Sequence, residues 1–135
     1  MRLNNVILIA LLLMTVGTVL ELYLLSHYES FLQLIPILCI GLVLLTVIIL
    51  AFRKTIIIKN VFKLLLVLTV LSGIYGTILH LQSNYEFEIE MTPTADRWHL
   101  FLESFAGALP ALAPLSMIVL ALIGYSYLKL INLKE

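Results

Sequence analysis

Four long apolar runs divide this chain, and the charges between them sort by sign. Arg2, Arg53, Lys54, Lys59, Lys63, Lys129 and Lys134 fall in the N-terminal tail, the middle loop region and the C-terminal tail. Glu21, Glu29, Glu86, Glu88, Glu90, Asp96 and Glu103 fall in or beside the other two loops. Arg97 and the terminal Glu135 are the two exceptions. A chain that crosses a bilayer four times puts these two sets on opposite faces. Such a pattern excludes an ordinary soluble domain, because 135 residues that are 62% hydrophobic and 12% charged exceed what a small core can bury. The bilayer has to act as solvent.

A hydrocarbon core of about 30 Å needs about 20 helical residues. The runs place helices at about Asn5–Leu25, Phe31–Phe52 and Val61–Leu81. The stretch Trp98–Ile131 is too long for one straight span and contains Pro110 and Pro114. It reads as an interfacial helix, about Pro93–Ala108, followed by a fourth span, about Leu109–Leu130. Proline interrupts a helix by removing an N–H and crowding the preceding turn. The expected fold is an all-α membrane protein, a single domain over residues 1–135. It is a four-transmembrane-helix antiparallel bundle, with an extracytoplasmic extended segment and interfacial helix forming an outer cap over about 82–108. The first run is longer than a signal-peptide core and no small-residue cleavage site follows it, so it reads as an uncleaved span. The positive-inside rule then puts both termini and the Arg53–Lys63 loop in the cytoplasm, in an inner (plasma) membrane.

The outer segment has its own periodicity. Tyr85-Glu86-Phe87-Glu88-Ile89-Glu90-Met91 alternates strictly, which predicts an extended stretch with its three glutamates on one edge. Thr92-Pro93 then offers a helix start, with Asp96, His99 and Glu103 on one face of the following helix.

The candidate chemistry lies on the same side. His27, His80 and His99 are all expected at one depth, among carboxylates. Histidine with carboxylates is a ligand set for zinc, manganese or iron, and oxygen ligands alone suit calcium. Glu21, His27, Glu29, His80, Glu86 and Glu88 are the metal-site candidates, with Glu21 singled out because a carboxylate inside an apolar run is costly. The same face, through Glu86, Glu88, Glu90, Asp96, His99 and Glu103, is alternatively a docking surface for a basic protein partner, in a structural or assembly subunit or a homo-oligomer. A third reading is a small membrane enzyme or transporter using the proline-interrupted fourth helix. No phosphate-binding loop or Gly-x-Ser-x-Gly occurs, and there is no basic outer patch for nucleic acid. The lone Cys39 excludes a CxxC pair and an internal disulfide. On helix 3, Thr69, Gly73, Gly76 and His80 recur at helical spacing, a small-residue stripe that suits close helix packing.

The combination of His27-Tyr28-Glu29, His80 with Asn84-x-Glu86-Phe87-Glu88, and Pro110-Ala-Leu-Ala-Pro114 resembles small bacterial four-span membrane proteins of uncharacterised role. The resemblance covers most of the chain. It implies a four-span bundle and carries no activity.

Overall fold

A computed structural model describes residues 2–133, so Lys134 and Glu135 of the charge pattern lie outside the described residues. Lipid offers backbone amides no partners, and the apolar runs accordingly close their own hydrogen bonds as helices. These are α1 Leu3–Leu24, α2 Phe31–Phe52, α3 Ile56–Met91, a short α4 Arg97–Glu103, a 3-10 turn Ala113–Leu115, and α5 Ser116–Asn132. Among the described residues there is no strand, and four helices are long and apolar enough to cross a membrane.

Around the bundle, α1 packs on α2 and α5, and α3 packs on α2 and α5. Buried residues recur at steps of three and four, as in Ile40, Val43, Val47 and Leu50 of α2 and Phe62, Leu65, Leu66 and Thr69 of α3. The outward faces are no less apolar: Leu38, Leu42, Leu45, Leu64, Leu71 and Ile78 are all exposed. A soluble bundle would make those faces polar. A continuous apolar exterior of this extent fits a hydrocarbon solvent. Several hydroxyls inside the spans are satisfied within their own helix. Thr15 donates to the Leu11 carbonyl, Thr46 to Leu42 and Thr69 to Leu65.

The second helix has the expected bounds, and its start is fixed by a capping box between Ser30 and Gln33. Elsewhere the structure corrects the expectations. Residues 85–91 are not extended, because α3 runs unbroken to Met91. Elongating an existing helix avoids the nucleation cost, Glu is a good helix former, and no neighbouring strand is present to pair an extended segment. At about 100° per residue, Glu86 and Glu90 sit one turn apart while Glu88 points away, so the three glutamates share no edge. Thr92 does not start the next helix. It ends α3, its N–H and hydroxyl both donating to the Glu88 carbonyl, and Pro93 disfavours helical backbone at the residue before it. The cap of α4 is instead Asp96, which accepts from the Trp98 amide at 3.0 Å. The helix expected over about Pro93–Ala108 is therefore shorter, Arg97–Glu103, and the fourth candidate span begins at Ala113 rather than Leu109.

Candidate ligand cavity

The late turns of α3 and the segment after α4 are joined side by side. Gly73 permits this approach, since a Cβ there would lie 2.7 Å from the Pro114 carbonyl oxygen and 2.8 Å from the Met117 Cβ. Higher up, Asn84 is 2% exposed and uses all of its carboxamide on this segment. Its Nδ2 donates to the carbonyls of Ser104 and Leu109, each at 2.8 Å, and its Oδ1 accepts from the Leu109 amide at 2.9 Å. One turn earlier, His80 Nδ1 lies 3.1 Å from the Pro110 carbonyl oxygen. A carbonyl only accepts, so Nδ1 carries the proton. In the neutral form of the ring, Nε2 is then the acceptor.

Below this seam lies a cavity of about 330 Å³ reached by all four long helices. Its apolar wall includes Leu22, Leu25, Leu32, Ile35, Pro36 and Leu79. Glu21, His27 and His80 line it, together with Gln33, Ser72, Tyr75 and Ser83. The rings of His27 and His80 meet edge to face, 6.3 Å between centroids. His27 sits in the turn between α1 and α2, where Ser26 adopts positive φ and Tyr23 stacks on Tyr28. Burial, and then the neighbouring His80, hold the His27 pKa below the usual histidine range. Pro36, on the same wall, has no N–H to give the Leu32 carbonyl one turn back.

Three of the six metal-site candidates therefore share one cavity: Glu21, His27 and His80. Glu29, Glu86 and Glu88 do not line it. Glu86 accepts from Gln82 Nε2 at 2.9 Å, and His99 Nε2 stands 3.8 Å from Glu103 on the surface of α4. Among the described residues, no three of His, Cys, Asp or Glu gather into a group that could hold a metal ion.

From the sequence alone, Asn84 reads only as a position following His80 and Ser72 as a packing residue, and neither these nor Ser83 has a place in the expected site. Their signal was present, since Asn84 continues the Thr69–Gly73–Gly76–His80 stripe by one more turn. Ser72, Tyr75, Leu79 and Ser83 form the adjoining stripe that faces the cavity. No protein-family model, curated protein or solved structure matches this chain.

Proposed function

We propose that this is an integral membrane binding protein. Its four spans form an antiparallel bundle in an inner membrane, with both termini on the basic, cytoplasmic side and residues 82–108 outside. The cavity receives a small amphiphile. An apolar body lies among Leu22, Leu32, Ile35 and Leu79, and a polar head meets His80 and Glu21.

The observation that carries this reading is the 3.1 Å approach of His80 Nδ1 to the Pro110 carbonyl oxygen. With Nδ1 committed to Pro110, the side chain offers the cavity an acceptor. The Glu21 carboxylate also accepts, and the lowered pKa of His27 keeps that ring neutral at pH 7. Beside the mixed donors and acceptors of Gln33, Ser72, Tyr75 and Ser83, His80 and Glu21 favour a head that brings its own N–H or O–H, an amine or an alcohol, over an anionic one that the Glu21 carboxylate would repel.

Titration calorimetry on protein in nanodiscs tests this with octylamine, octanol and octanoate. Octylamine and octanol should bind saturably above the background of empty nanodiscs, and octanoate should not. Glu21→Leu should weaken octylamine most, and His80→Ala should weaken both. Equal uptake of all three would refute the reading.

A divalent cation held by the His27 and His80 rings, with solvent completing its shell, is the second reading, resting on the ring pair at 6.3 Å. A backbone carbonyl fixing the far nitrogen is the usual arrangement behind a metal-bound histidine. Elemental analysis of purified protein separates the two. One equivalent of zinc, manganese, iron or calcium, lost in His80→Ala, would favour the cation.

A further inference from the structure

About 30 Å along α3 from that cavity, at 1.5 Å per residue, the opposite end of the bundle holds a second pocket of about 160 Å³. The first turns of α3 supply Lys59, Asn60 and Lys63, and the last turns of α5 supply Tyr125, Lys129 and Asn132. Lys59 is only 8% exposed and is engaged within the protein, so its charge sits in the wall rather than on a mobile surface arm. The Lys129 ammonium lies 5.4 Å from the centre of the Tyr125 ring, a cation–π contact that restrains it over the pocket. No Asp or Glu occurs in residues 31–85 or 104–133. Glu135 follows α5 in sequence and lies outside the described residues.

The Lys63 and Lys129 ammonium groups and the Asn60 and Asn132 carboxamides, beside the already engaged Lys59 and with no described carboxylate among them, form a set of donors for an anion with several oxygens. We propose that this pocket binds a phosphate-bearing anion, either the headgroup of an anionic phospholipid or phosphate free in solution. Basic pockets between spans on the positively charged side of a membrane protein suit such headgroups. The adjoining Ile56 and Ile57 are exposed and give an acyl chain an apolar path away from the pocket. Surface charge alone would not discriminate among basic residues of this face. A pocket would, because Lys63 and Lys129 line it while Arg53 and Lys54 do not.

The test titrates the full-length protein with dihexanoyl phosphatidylglycerol, dihexanoyl phosphatidylcholine and inorganic phosphate, following the melting midpoint. The glycerol lipid should raise the midpoint saturably and the choline lipid should not. The double variant K63Q/K129Q should bind the glycerol lipid roughly 30-fold more weakly, as expected for two lysines at the membrane surface. R53Q/K54Q, which removes equal charge outside the pocket, should change binding by less than about threefold. K63R/K129R should bind like wild type, which separates loss of the site from loss of the fold. If phosphate alone reproduces the shift and loses it in K63Q/K129Q, the same site takes its ligand from solution. If both lipids act equally, if neither the lipid nor phosphate shifts the midpoint, or if the two Gln variants lose binding equally, the proposal is overturned.

Discussion

Removing the Asn84 carboxamide should release the segment between α4 and α5 without dissolving the bundle. Asn84→Leu keeps the side-chain volume close and deletes three hydrogen bonds, leaving the Ser104 and Leu109 carbonyls and the Leu109 amide without those partners. A net value of about 1 kcal/mol per bond gives about 3 kcal/mol. The lower mean of about 0.6 kcal/mol found between membrane helices gives about 2 kcal/mol. At about 1.4 kcal/mol per tenfold, exchange of the amides in 104–112 should quicken by roughly 20- to 150-fold. Hydrogen–deuterium exchange with mass spectrometry in micelles reads this directly, and α2 serves as an internal control that should not change. Asn84→Asp sharpens the test. Its carboxylate could still accept from Leu109 N–H but would face two carbonyl oxygens, which favour the protonated acid and raise its folded pKa. A raised folded pKa contributes stability at low pH and loses it as pH rises, so this variant should be closer to wild type in acid than at neutral pH. Less than a threefold change in Asn84→Leu would refute the view that this side chain holds the segment.

Gly73→Ala should destabilise by about 1–3 kcal/mol in a thermal melt, because its Cβ would meet Pro114 and Met117, whereas Gly17→Ala and Gly41→Ala, with nothing within 4 Å, should be neutral or slightly stabilising. The depressed pKa of His27 predicts stability that is complete above the ordinary histidine value of about 6.5 and falls as pH drops through it, since the unfolded chain binds the proton more readily. His27→Gln should flatten that dependence in melts between pH 5 and 8, and an unchanged slope would exclude His27 as its source. In a Cys39→Ala background, cysteines placed at Thr55 and Ser83 should react oppositely with an impermeant thiol reagent on intact cells, Ser83 being the external one; labelling at position 55 would invert the proposed topology.

What the sequence determined by itself was the solvent and the secondary structure of the spans. Twenty-residue apolar runs admit one backbone solution in lipid, so the four long helices follow from composition and length. The bounds Phe31–Phe52 were legible because Ser30 and Gln33 form a local cap and the charges resume at Arg53. Glu21, His27 and His80, expected together near the ends of their apolar runs, line one cavity. Tertiary structure decided the rest. Whether residues 85–91 alternate as a strand or continue α3 depends on an available pairing partner, which no seven-residue pattern contains. The start of the fourth span at Ala113 is set by Leu109 and Pro110, whose backbone is held by Asn84 and His80 from a helix some 25 to 30 residues away. Hydrogen bonds at that sequence separation leave no periodic trace. They also decide which nitrogen of His80 the backbone engages.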